Sequence, residues 1–309
     1  MKLLITGVSG LLGINLALDA MREHEVIGVD RGKLKRTPFD TVSMDFLGSD
    51  ISTVMDNWLL EETRPDAVIH TAALANLDEC ESYPEKAHRL NAEIPGIFAT
   101  LCERRSIHFV HLSTDAVFDG TKEGAYVEEE EPNPQSVYAR TKLDGERAVL
   151  DVNPQAVIAR VNFFGWSLGG RRSLSEFFFN NLSEGKNVNG FTDVIFCPMW
   201  VNDLSQILIA MLENNLSGLY HVVGAQAINK YQFGVEVARR FGLRESLISP
   251  QSVEASSLTA KRSHNLWLSV HKLSTDLGCE IPSFSTGLDG FYTQFQQGYP
   301  QKIRSYQQL

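Results

Sequence analysis

The chain has 309 residues, 43% apolar and 21% charged. That composition excludes wholesale disorder, and the length allows about two domains. Asp and Glu outnumber Lys and Arg by 38 to 28, a net charge of −10 that repels nucleic acid and anionic membrane in bulk and leaves room only for a local basic pocket.

The N-terminal stretch MKLLITGVSGLLGINLAL imitates a signal peptide, but three glycines break it and no A-x-A cleavage site lies near Asp19. No other stretch approaches the roughly 20 apolar residues of a membrane span, so a cytoplasmic chain is expected. Lys2 to Thr6 reads as a buried strand, then a glycine turn, then a helix from about Leu11 to Met21. Glu25 to Asp30 is a second strand, and a third ends before Asp45. Ala67 to His70, Ile107 to Ser113 and Ala156 to Arg160 follow, each separated by a helical pattern. Continuous apolar strands alternating with helices imply an α/β fold, a doubly wound parallel sheet covered on both faces. After about Phe164 the rhythm loosens around two helices, Asp203 to Leu212 and Tyr231 to Phe241, while Gly218 to Val223 reads as one more strand of the main sheet. The expected division is a dinucleotide-binding domain over 1–164, with return segments at about 188–223. A smaller C-terminal α/β substrate domain takes 165–187 and 224–309.

The first motif is Thr6-Gly7-Val8-Ser9-Gly10-Leu11-Leu12-Gly13, at the first strand–helix junction. Gly7 suits a tight turn, Gly10 lets backbone amides approach a diphosphate, and Gly13 lets the helix pack on the strand. The helix N-terminus then offers its unpaired N–H groups to the phosphates. Gly7, Ser9, Gly10, Leu11, Leu12 and Gly13 are therefore candidate cofactor residues. Asp30 lies 23 residues beyond Gly7, close to the spacing of a carboxylate that holds the adenosine ribose diol. It favours NAD(H), whereas Arg31, Lys33 and Arg36 either form a solvated loop or offer cations to the 2′-phosphate of NADP(H). Asp45 and Phe46, after the third strand, are placed to hold adenine.

The second motif is Tyr138-Ala139-Arg140-Thr141-Lys142. Helical i, i+4 spacing puts Tyr138 and Lys142 on one face, where an ammonium would lower the phenol towards working pH and make it a proton donor or acceptor. Upstream, Thr114 ends a buried strand, where parallel sheets place their sites, and its hydroxyl could complete a Thr/Tyr/Lys triad.

These motifs, with HTAALANLDECE from His70, RLNAEIPG from Arg89, LSTDAVFDG from Leu112 and PNPQSVYARTKLDGE from Pro132, resemble an extended short-chain dehydrogenase/reductase. Within it the chain is similar to the dTDP-4-dehydrorhamnose reductase-like branch, in order along nearly its whole length. The resemblance implies a Rossmann fold, a nicotinamide cofactor, a nucleotide-linked keto sugar, and a monomer or homodimer. It implies that Thr114, Tyr138 and Lys142 are the catalytic hydroxyl, acid and lysine, and that Asn91 props the site. It also implies that Ala72, Ala73 and Ala75 line the cofactor, with Arg262 near the substrate's phosphates. The stretch from Arg160 to Trp166 departs from the rhamnose reductases and is closer to nucleotide-sugar epimerases, whose asparagine, here Asn162, approaches the diphosphate. Asp115, Asn162 and Arg262 are the candidate substrate residues. A reductase of a nucleotide-linked 4-keto-6-deoxy sugar is expected. The alternatives are an epimerase with tightly held NAD and a regulatory subunit resembling the methionine adenosyltransferase beta subunit.

The acidic run Glu128 to Glu131 alternates direction in an extended loop and reads as a solvated face rather than a metal site. The four cysteines, Cys80, Cys102, Cys197 and Cys279, are far apart in sequence, which suits neither a disulfide framework nor an ordinary zinc site. No metal is expected. His70 and His111 lie on apolar strands as core residues.

Overall fold

The computed structural model describes residues 1–32, 34–48, 51–255 and 263–307, without the side chains of 59–61; Lys33, Lys261 and Arg262 lie outside the described residues. Seven strands make one all-parallel sheet: β1 (Lys2–Thr6), β2 (Glu25–Asp30), β3 (Asp40–Ser43), β4 (Ala67–His70), β5 (His108–Thr114), β6 (Val157–Val161) and β7 (Gly218–Val222). Their order is β7-β6-β5-β4-β1-β2-β3. The chain therefore leaves β1 in one direction for β2 and β3 and crosses back to β4 on its other side. Between β1 and β4 the connections diverge, which opens the crevice where doubly wound sheets bind ligands. Thr6 at the end of β1 stands beside Val29 on β2 and His70 on β4, so the carboxyl ends of three strands meet there.

Side-chain alternation assigns the two faces of the sheet. Leu3 and Ile5 face a core shared with α1 (Leu11–Ala20) and a later helix over Val201–Glu213. Leu4, Val68 and Ile158 face a second core closed by Phe98, on the helix Ile94–Glu103, and Val149, on the helix Val137–Val152. The first core continues without a break into Trp166, Phe233, Phe284, Phe291 and Ile303. The C-terminal elements are thus welded to the sheet by apolar contact. They include small sheets pairing Phe163–Phe164 with Met199–Trp200, and Val188–Phe191 with Ile248–Gln251. Element ends fall within a residue or two of the sequence expectation, as helix and strand ends ordinarily do.

The acidic run is more than a solvated face. Glu128 is half-buried and its Oε1 accepts from the backbone N–H of His221 on β7 (2.9 Å). Glu130 accepts from Lys122 Nζ and Val127 N–H (2.7 Å each), while Glu129 and Glu131 are exposed. Alternate direction along the loop splits the run between structure and solvent.

Candidate active site

The glycine turn is built by close approach. Gly7 has φ +68°, and a Cβ there would lie 2.7 Å from the backbone nitrogen of Ala72. A Cβ on Gly13 would lie 2.2 Å from the Gly7 carbonyl oxygen. Gly10 is the N-cap of α1 and offers no side chain to its amides, so the first-turn N–H groups remain available to an anion. A cleft of about 260 Å³ lies above, lined by Gly7, Ser9, Gly10, Asp30, Phe46 and Ala72, among others. Asp30 Oδ2 accepts from Ser9 N–H (2.8 Å) and Oδ1 from Arg31 N–H (2.7 Å), which fixes the carboxylate at the end of β2. Asp45 is exposed at the rim and Phe46 is buried, its ring edge-on to Phe98 (centroids 5.6 Å apart). Ala73 also lines the cleft, whereas Ala75 is exposed beyond it. Leu12 and Gly13 are buried under the turn and Leu11 is half-buried, so their backbone amides rather than side chains would meet a phosphate. A cradle that Cβ atoms would fill, next to open amides and a fixed carboxylate, fits a dinucleotide.

Thr114 closes β5, and Tyr138 stands in the first turn of the helix Val137–Val152, which Ser136 caps by accepting from Ala139 N–H (3.2 Å). The Thr114 hydroxyl donates to Asp115 Oδ1 (3.1 Å) and acts on the phenol of Tyr138. Burial drives the phenol up to about 12, Thr114 opposes that rise, and the charges of Asp115 and Cys80 add to it. The expected lowering by Lys142 is corrected here. Lys142 is buried, its Nζ lies 3.4 Å from His111 Nε2, and burial pushes it down to about 8 against the pull of Glu146. His111 and His70 stack (centroids 5.6 Å apart), and burial holds both far below the usual imidazole range, so they are neutral core residues.

Asn91 sits in a π-helical turn over Arg89–Glu93, a geometry common at functional sites. Its Oδ1 accepts from Leu74 N–H (2.8 Å), and its Nδ2 donates to the Leu74 carbonyl (3.1 Å) and to Thr141 Oγ1 (3.0 Å). One buried amide thus ties the loop lining the cleft to the helix carrying Tyr138 and Lys142. Asp115 accepts from Thr114 Oγ1 (3.1 Å) and from Asn162 Nδ2 (2.5 Å). Burial raises its carboxyl to about 6, against hydrogen bonds from Asn162 and Thr114 and the charge of Lys230. Thr114, Asp115 and Asn162 are therefore linked by hydrogen bonds at the carboxyl ends of β5 and β6, and the Tyr138 phenol feels both Thr114 and Asp115.

The family model for the RmlD substrate binding domain matches residues 1–297. The chain belongs to that family. It is an NAD(P)-dependent oxidoreductase of the extended short-chain type. A probable low-salt glycan biosynthesis reductase of Haloferax volcanii is 33% identical, over 94% of this chain and 97% of that one. A dTDP-4-dehydrorhamnose reductase of Aggregatibacter actinomycetemcomitans is 26% identical, over 93% and 97%. The solved dTDP-4-dehydrorhamnose reductase of Bacillus anthracis in complex with NADP superposes with a TM-score of 0.84 at 24% identity, over 95% and 99%, and shares the fold.

Several residues of this RmlD-family site escaped the sequence reading. Glu146 accepts from Arg160 Nε (3.0 Å) and Nη2 (2.8 Å) and from Ser113 Oγ, a buried pair one helical turn beyond Lys142. Its sequence signal is one further i+4 step after Tyr138 and Lys142. Lys230, on the helix Lys230–Arg240, and Arg172 reach the site from the second half of the chain with no local signal.

Proposed function

We propose that the protein reduces the ketone of a nucleotide-linked 4-keto-6-deoxy sugar, with Tyr138 as proton donor. The observation that carries this reading is the buried Asn91 amide, which ties the loop lining the dinucleotide cleft to the helix carrying Tyr138 and Lys142, with Thr114 at the end of β5 acting on the Tyr138 phenol. The reduced nicotinamide, when bound, supplies the hydride. The residues do the rest. Tyr138, driven up by burial, holds its proton across the working pH range and gives it to the developing alkoxide. Thr114 donates a hydrogen bond to the same oxygen, where charge develops in the transition state. Lys142 is placed to hold the nicotinamide ribose. Asp115 and Asn162 meet the sugar beyond Thr114.

Gly7, Ser9, Gly10 and the amides of Leu11, Leu12 and Gly13 receive the diphosphate. Asp30 takes the ribose diol, favouring NADH, with NADPH as second cofactor, while Asp45, Phe46, Ala72 and Ala73 line the adenine and ribose side. Residues 1–164 and about 188–223 form the dinucleotide-binding unit, and 165–187 with 224–309 the substrate unit. Among the described residues no helix is long and apolar enough to cross a membrane. The reading puts the work in the cytoplasm, as a monomer or homodimer.

The test is cofactor consumption on a panel of nucleotide-linked 4-keto-6-deoxy sugars by the unmutated chain and Tyr138→Phe. Turnover should fall by about 10² to 10⁴, the usual worth of a positioned proton donor, while the cofactor dissociation constant moves less than about tenfold. Equal turnover by both would refute the mechanism. Conversion without net cofactor oxidation would mean an epimerase, and cofactor binding without any turnover a regulatory subunit.

A further inference from the structure

We propose that Arg172 grips the 2′-phosphate of NADP(H) and so admits a second cofactor beside the NADH that Asp30 favours; this rests on the dinucleotide reading above. Arg172 belongs to the segment after β6, yet its Nη1 lies 3.4 Å from the carbonyl oxygen of Ser9, in the glycine turn. It lines the main cleft together with Ser9, Asp30 and Arg31. It also lines a smaller adjoining cavity with Gly32 and Leu34. Asp30, Arg31, Gly32 and Leu34, among the residues that share these two linings with Arg172, come from the end of β2 or just beyond it. That is where a doubly wound fold places the adenosine ribose, not the diphosphate.

The backbone under Arg172 is fixed. Glu176, fully buried, accepts from Arg172 N–H (2.9 Å), Ser173 N–H (3.2 Å), Ser167 N–H (2.7 Å) and Ser167 Oγ (2.7 Å). Ser173 and Glu176 form a capping box at the start of the helix Leu174–Ser183. The guanidinium stands exposed above this anchor, and among the described residues it forms no ion pair. A planar fork held on a rigid base, with Arg31 lining the same cleft, suits a phosphate monoester. The Asp30 charge opposes the 2′-phosphate, which keeps NADPH second to NADH, and the cations of Arg172 and Arg31 offset it.

The experiment titrates the full chain, unmutated and as Arg172→Ala and Arg172→Lys, with NADH, NADPH, 5′-AMP and 2′,5′-ADP, following binding by calorimetry. Arg172→Ala should weaken NADPH and 2′,5′-ADP by about tenfold or more and leave NADH and 5′-AMP within about threefold. Arg172→Lys should fall between, because lysine keeps the charge and loses the fork. Unchanged melting temperature confirms that the exposed substitution leaves the fold intact. The proposal is overturned if Arg172→Ala binds NADPH and 2′,5′-ADP as the unmutated chain does. It is equally overturned if NADH and NADPH weaken together, which would move the guanidinium to the shared diphosphate, or if the unmutated chain binds NADH but not NADPH. An unmutated chain that binds neither overturns the dinucleotide reading itself.

Discussion

Lys142→Met should stabilise the protein while disabling it. Lys142 is 2% exposed, and burial pushes its ammonium from 10.5 down to about 8. A group whose pKa is depressed in the folded state withholds stability until the pH rises past that pKa. At pH 7 the lysine is charged both folded and unfolded, and carrying that charge inside costs about 3 kcal/mol. Methionine fills similar space without charge. It leaves His111 Nε2 without its partner, which takes back about 1 kcal/mol. The net gain is about 2 kcal/mol, or roughly 3 °C in melting temperature for a chain of 309 residues. The advantage should be constant below about pH 8, shrink as the pH rises from 8, and reverse to a deficit of about 1 kcal/mol above 10.5, where the unmutated lysine is neutral in both states and only the lost His111 partner remains. Thermal melts of both proteins from pH 7 to 11 measure this. Turnover and cofactor affinity should both fall if, as proposed, the same lysine holds the nicotinamide ribose. A variant that melts lower at pH 7, with a gap independent of pH, would refute the reasoning and make the Lys142–Glu146 attraction the stronger effect.

Asp30→Ala should weaken NADH by about tenfold and narrow its advantage over NADPH, since the substitution removes the ribose acceptor and leaves the Ser9 and Arg31 N–H groups unpaired; paired titrations check this, and an unchanged ratio counts against Asp30 as the selector. Gly13→Ala should lower stability by about 3 kcal/mol, at the upper end for an overpacked site, because its Cβ would fall 2.2 Å from the Gly7 carbonyl oxygen and 2.7 Å from Val8 Cα. Denaturant melts and NADH titration should show both losses together, since the displaced atoms are those of the turn itself.

What the sequence made legible was local chemistry at fixed spacing. The glycine turn could be read because the positive φ of Gly7 and the missing space for a Cβ at Gly13 both sit within eight consecutive residues, although what crowds Gly7 is Ala72, from just beyond the end of β4. Asp30 could be read because a six-residue strand leads the chain straight back to the turn. Tyr138 and Lys142 could be placed on one helical face, and that much holds. The face says where the stem of a lysine begins, not where its four carbons turn. Here they carry the ammonium inward to His111, within reach of the Glu146 charge, and the phenol is left to burial and Thr114. That outcome depends on β5 and β6 lying side by side, which puts Ser113 opposite Arg160, a pairing no spacing within one helix can express. Arg172 is the extreme case. It is separated from Ser9 by 163 residues, and in its own neighbourhood it is one of two adjacent arginines before a helix cap. Only the capping box at Ser173 and Glu176 is written locally, and it explains why the loop is rigid, not what it faces. What it faces is set by the apolar core that joins Trp166 to the sheet. The same packing that holds the two halves of the chain together therefore brings a cation from one half to the cofactor cleft of the other.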